Sequence, residues 1–117
     1  MPKTESQIMH DIILALGCEP DLDIERRTVG KTTQYDPVSG KEYHIKYGTV
    51  GEADLQATLG PNGRLFALEI KTPTGRLSKE QKMWISRKRA LGAFVAVVRS
   101  VEEARAALAR ARTGATE

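Results

Sequence analysis

Cysteine is almost missing from this chain. Cys18 is the only one among 117 residues, so no disulfide can close within the chain and a reducing, cytoplasmic setting is expected. Cys18 itself reads as a small core or surface residue, because nothing beside it in sequence would activate a thiol. Histidine is nearly as scarce: His10 and His44 stand alone, which excludes the His/Cys spacing of a zinc site and leaves both as surface or internally satisfied groups. Aromatic residues make up 5% of the chain. Tyr35, Tyr43 and Tyr47 read as strand-packing residues, too few for a platform on which single-stranded bases stack. No apolar run approaches the ~20 residues of a membrane span. The N-terminus is a polar helix start without a signal-peptide pattern. Internal repeats and low-complexity segments are lacking too.

What is present fits one folded unit over residues 1–113, with 114–117 as a frayed tail. Hydrophobic content of 40% and charged content of 28% are ordinary for a globular domain. The net charge of +3 is unevenly spread: six acids face one lysine over residues 1–25, whereas seven basic residues face only Glu80 over 71–92. A basic block of that kind either binds a polyanion such as nucleic acid or is a solvated helix face.

The stretch from Gly51 to Lys71 organises the rest. Gly60-Pro61-Asn62-Gly63 is turn chemistry: Pro sets the first central position, and Asn tolerates positive φ at the second. With Pro61 and Asn62 as a two-residue loop, Gly60 pairs with Gly63, Asp54 lies opposite Glu69, and Glu52 lies opposite Lys71. Alternation then puts Ala53, Leu55, Ala57, Leu59, Phe66, Leu68 and Ile70 on one face, with Glu52, Asp54, Gln56, Glu69 and Lys71 on the other. Two carboxylates across a ladder have Cβ atoms about 5 Å apart. They repel unless a cation lies between them, and Lys71 or a divalent ion would serve.

Around this hairpin, Thr4 with Gln7 forms a capping box that opens a helix to about Leu16, stopped by Gly17. Met9, Ile12 and Leu16 form its buried stripe, and Glu5 lies on the same stripe, either as a surface acid or aimed at the site. A strand follows from about Ile24, with Arg26 and Arg27 early in it. Asp36 to Gly40 is a loop, and Lys41 to Tyr47 is a second strand. These strands are expected to join the hairpin in one curved sheet. Beyond Lys71, Pro73 forbids a helix until Ser78, which with Gln81 forms a second capping box. That helix runs to about Leu91 and is ended by Gly92. Gln81, Trp84, Ile85, Lys88 and Leu91 share its inner stripe. Trp84 reads as core, with base stacking as the alternative. Phe94 to Val98 is an apolar strand buried on both faces, parallel to the strand before it. Ser100 with Glu103 opens the last helix, whose inward residues are Val101, Ala104, Leu108 and Ala111.

A helical Glu5, then Arg27 and Gly30, then Gly51-x-x-Asp54, Glu69-Ile70-Lys71 and Gly75-Arg76-Leu77-Ser78-x-x-Gln81 together resemble the virus-type replication-repair nuclease (VRR-NUC) family of the PD-(D/E)XK nuclease superfamily. The resemblance covers residues 4 to 100, with Ala53 where the superfamily motif has proline. It implies a restriction-endonuclease-like α/β (α+β) fold, with a mixed five-stranded sheet flanked by helices. It further implies that Asp54 and Glu69 bind Mg²⁺ or Mn²⁺, joined by the Ile70 carbonyl and by Glu5 directly or through water. Lys71 would orient and help deprotonate the attacking water, and Gln81 would steady the lysine, the water or a phosphate. Gln81 also has a structural reading as the capping partner of Ser78. Arg27, Arg76, Ser78, Lys79 and Lys82 would hold the DNA backbone.

The function implied is metal-dependent endonucleolytic cleavage of DNA in the cytoplasm of a bacterial or phage-infected cell. Stand-alone members resemble homodimeric resolvases, so a homodimer selective for four-way junctions or flaps is expected. Two rivals remain: a sequence-nonspecific or restriction-type nuclease, and a DNA-binding module that no longer turns over.

Overall fold

The computed structural model describes residues 2–26, 30–35, 37–47 and 50–117. Helix α1 spans Glu5–Leu16, and both arms of its capping box are made: Gln7 N–H donates to the Thr4 hydroxyl at 3.2 Å and Thr4 N–H to Gln7 Oε1 at 2.8 Å. Its Ile8, Met9, Ile12 and Leu16 are buried. Strands β1 (Leu22–Arg26), β2 (Gly30–Tyr35), β3 (Glu42–Tyr47), β4 (Leu55–Leu59) and β5 (Arg64–Ile70) follow. Then come α2 (Lys79–Ala90), β6 (Phe94–Val98) and α3 (Val101–Arg112).

The hairpin register is the one that the turn chemistry dictates. Leu55 pairs with Leu68, Ala57 with Phe66 and Leu59 with Arg64. One detail of the turn differs: Gly63, at φ +72, carries the left-handed conformation and Asn62 does not. Glycine has no Cβ to strain there, so the turn places the positive φ on it.

The expected five-stranded sheet is corrected. Four strands form a mixed sheet in the order β1-β4-β5-β6, antiparallel except for the β5–β6 pair, while β2 and β3 form a separate two-stranded sheet. The single strand expected from Ile24 is divided into β1 and β2, and only β1 joins the hairpin. The sequence of β2, GKTTQY, has little apolar area to bury against a core. Its backbone groups are satisfied by the neighbouring β3 instead.

Both faces of the four-stranded sheet are covered. On one, α1 and α3 pack against Leu55, Leu59, Phe66, Leu68, Ile70 and Phe94. The Phe66 and Phe94 rings stack there with centroids 5.3 Å apart. On the other, Trp84 and Ile85 of α2 cover Ala67 and Val95. Ala53, expected to face the first layer, packs into the second. It precedes β4, so strand alternation does not govern it. Leu91, expected on the inner stripe, is exposed because it is the C-cap residue, beyond the last helical turn.

Residues 114–117, expected to fray, make defined contacts. Thr116 O accepts from Val95 N–H at 3.0 Å on the outer edge of β6, and Glu117 pairs with Arg89 at 2.9 Å. Arg64 donates to the carbonyls of Gly92, Ala111 and Ala115, tying the tail to the start of β5. Among the described residues no helix is long and apolar enough to cross a membrane.

Candidate active site

The site forms where the hairpin opens away from its turn. Asp54 immediately precedes β4, and its carboxylate acts electrostatically on Glu69, near the end of β5. Asp54 Oδ2 accepts from the Ile70 N–H at 3.0 Å, which locks its carboxylate across the strand pair. Glu69 is 1% exposed, the one charged side chain among the buried residues described. Its Oε1 accepts from Gln81 Nε2 at 2.9 Å and lies 3.4 Å from Lys71 Nζ. Its Oε2 has no partner. Among the described residues it is the only buried side-chain nitrogen or oxygen in that condition, and such an orphan is costly to bury.

Electrostatics follow from this packing. Burial pushes the Glu69 carboxyl up to about 8, and the neighbouring Asp54 carboxylate adds to the rise against the opposing pull of Lys71. A proton shared between the two acids removes their repulsion, and so does a cation placed between them. Glu5 stands at the rim: its carboxylate is half exposed and 3.9 Å from Lys71 Nζ. Among the described residues no three of His, Cys, Asp and Glu come together as a ready-made ligand cluster.

The capping role of Gln81 is made, and the same side chain also reaches Glu69. Its Oε1 accepts from Ser78 N–H at 2.9 Å, while Ser78 Oγ accepts from Gln81 N–H at 3.1 Å. The capping box thereby fixes which end of the amide is oxygen, and the Nε2 end is left to hold Glu69. Trp84 is buried core, and Lys88 sits over its ring at 5.5 Å. Arg76 on the loop and Lys79 and Lys82 in the first turn of α2 are exposed. Ser78 is the N-cap of that helix. Arg27 lies outside the described residues.

A model of the VRR-NUC domain matches residues 40–102, more than half of the chain. The chain belongs to the VRR-NUC family. VRR-NUC is a nuclease-type family, and the matched span contains Asp54, Glu69, Lys71 and Gln81. A solved structure described as a VRR_NUC domain covers 92% of this chain and 97% of its own length, with a TM-score of 0.60 and 20% identity. At that identity the likeness speaks for the fold. A comparison with curated protein sequences yields no match.

One residue of this VRR-NUC chain has a structural reason that its sequence does not disclose. Gly51 adopts φ +84, and a Cβ on it would lie 2.4 Å from Glu80 O and 2.5 Å from Glu80 C. The backbone leading to Asp54 is therefore pressed against the first turn of α2, the turn that carries Gln81. Gly51→Ala is expected to destabilise the fold by about 2–4 kcal/mol through left-handed strain plus a backbone clash. Thermal unfolding followed by circular dichroism reads this as a Tm loss on the order of 10 °C; an unchanged Tm would show that the close approach does not hold.

Proposed function

We propose that this chain hydrolyses phosphodiester bonds in DNA, using a Mg²⁺ or Mn²⁺ ion held by Asp54 and Glu69. We place it on branched DNA, a four-way junction or flap, as a cytoplasmic homodimer. The observation that carries this reading is the unpartnered, buried Oε2 of Glu69 beside a second carboxylate. An oxygen in that position suits a cation, and Mg²⁺ fits a sparse protein site because it keeps several of its waters. Asp54 and Glu69 would be its ligands, joined by the Ile70 carbonyl and by Glu5 directly or through water. When bound, such an ion offsets charge developing on the scissile phosphate and lowers the pKa of a coordinated water.

The chain's own residues do the rest. Gln81 keeps Glu69 Oε1 in place, so that Oε2 faces inward. Lys71, its ammonium drawn to Glu69 and Glu5, orients the attacking water and assists removal of its proton. Arg76, Lys79 and Lys82, with Ser78 at the head of α2 and Arg27, hold the backbone phosphates on either side. A four-way junction is resolved by two incisions, and two copies of the chain would supply two such sites.

The test is cleavage of labelled linear duplex, flap and four-way junction DNA with Mg²⁺, Mn²⁺ or chelator, with Asp54→Ala as the inactive benchmark. Cutting of branched DNA alone, and only with metal, is the expected result. Equal cutting of linear duplex would instead mean a nonspecific or restriction-type nuclease. Tight binding with turnover no higher than that of Asp54→Ala would mean a silent binding module. Affinity should also fall steeply with salt, with a log–log slope of several units from released counterions. A flat salt titration would contradict phosphate-dominated contact through Arg76, Lys79 and Lys82.

A further inference from the structure

Lys71 lies just past the end of β5, and a lysine there has four rotatable bonds to control. Such a side chain loses rotamer freedom when it is fixed, so something must hold it in one geometry. Its backbone is fixed, because Lys71 N–H donates to Val98 O at 3.1 Å, extending the β5–β6 pairing by one bond. Its stem is confined by the turn that follows. A Cβ added to Gly75 would lie 3.4 Å from Lys71 Cδ and 3.2 Å from Thr72 Oγ1, so the turn folds back onto the lysine's methylenes. Only 12% of the Lys71 side chain is exposed.

The turn has little of its own to keep it closed. Gly75 N–H bonds Thr72 O at 3.0 Å, and Pro73 has no N–H to contribute. Arg99 provides the remaining hold. It is the first residue after β6, next to the Val98 that binds Lys71. Its Nη1 donates to Thr72 O and, at 2.9 Å, to Gly75 O. One guanidinium nitrogen thus bridges both ends of the turn. Arg99 is separated from Lys71 by 28 positions in sequence, and no local pattern in the chain pairs them.

We propose that Arg99 is a positioning residue for the hydrolysis: by clasping the Thr72 and Gly75 carbonyls it holds the turn that aims the Lys71 ammonium at Glu69. The proposal rests on the catalytic reading of Lys71 given above. Arg99 touches neither carboxylate in the site and acts through the turn alone. A cavity of about 240 Å³ lined by Pro2, Lys3, Ile8, Pro73 and Arg99 adjoins it, so a small cation has access to its place.

The experiment compares wild type, Arg99→Ala, Arg99→Lys, Gly75→Ala and Lys71→Ala as full chains, by steady-state cleavage and by NMR of protein carrying ¹³C-labelled lysine. The Lys71 signal is assigned by its loss in Lys71→Arg. Arg99→Ala should lower kcat roughly 10–100-fold, the scale on which a misplacement of about 1 Å acts, with KM little changed. Its Lys71 Cε protons, distinct in wild type, should merge as the side chain averages over rotamers. Arg99→Lys, whose ammonium lies at a different reach from the backbone than Nη1, should restore only part of the rate. Millimolar guanidinium should raise the rate of Arg99→Ala but not of Lys71→Ala. Gly75→Ala, which pushes a methyl against the same stem, should shift the Lys71 signal and lower kcat with KM little changed.

An unchanged Lys71 signal in Arg99→Ala overturns the proposal, and so does a kcat loss matched by an equal change in KM with no guanidinium response. Failure of the catalytic reading looks different: if wild type does not cut DNA, or Lys71→Ala cuts as well as wild type, that reading falls. The loss of Lys71 ordering in Arg99→Ala would still establish the clasp.

Discussion

Lys71→Ala should lower kcat by about 10²–10⁴-fold, the range in which a positioned proton-transfer group contributes, while DNA affinity stays within about threefold. The two effects separate because of where the ammonium sits. Its side chain is nearly buried, and its nearest acid partner is Glu69 at 3.4 Å, inside the carboxylate group rather than on the outer basic face. Arg76, Lys79 and Lys82, which are exposed, are untouched by the substitution. Binding is read by fluorescence anisotropy with labelled DNA in Ca²⁺ or chelator, and turnover by single-turnover cleavage in Mg²⁺. If affinity collapses with the rate, Lys71 is a phosphate anchor and its role in handling water is wrong.

The second large effect concerns pH in the absence of divalent ions. Glu69 is held at about 8 in the folded chain against an ordinary 4.5. Below 4.5 both folded and unfolded states keep the proton, and nothing is lost. Between 4.5 and 8 the folded state keeps it while the unfolded state releases it. The folded state then binds more protons, and stability falls as pH rises across that window. Above 8 both states are ionised, and the full penalty remains. At 1.36 kcal/mol per unit the total is on the order of 3–5 kcal/mol.

Unfolding by urea in chelator, repeated from pH 4.5 to 8.5, should show this decline, and Glu69→Gln should abolish it. At pH 8 the Glu69→Gln chain should be more stable than wild type by about 2–3 kcal/mol, because a neutral amide carries no charge to desolvate. Adding Mg²⁺ should restore wild type at pH 8, have little effect at pH 5 where Glu69 keeps its proton, and leave Glu69→Gln unmoved. A wild-type stability that is flat across the window and equal to that of Glu69→Gln would rule out a strained acid at this position.

The parts of this arrangement that local chemistry controls are legible in the sequence. The Gly60–Gly63 turn dictates its own register, so the pairing of Leu55 with Leu68 follows from counting residues outward from Pro61 and Asn62. Thr4, Ser78 and Ser100 open their helices as capping chemistry requires. What the sequence does not disclose depends on contacts between segments distant along the chain. The partner of β1 is chosen by the edge that β4 offers, so residue patterns alone do not separate the two-stranded β2–β3 sheet from the main one. The double duty of Gln81 needs the position of Glu69 relative to α2, which periodicity does not contain. Gly51 carries no turn signature that would reveal Glu80 behind it. Arg99 reads as one more basic residue, because its acceptors are main-chain carbonyls of a loop 24 to 27 residues earlier.

The link between Thr116 and Val95 also bears on how two copies could meet. It places a main-chain acceptor from the chain's last residues on the outer margin of β6, so a strand from a neighbouring molecule would have to displace it before adding there. At the opposite margin, among the described residues, the main sheet ends at β1, whose ladder partner is β4.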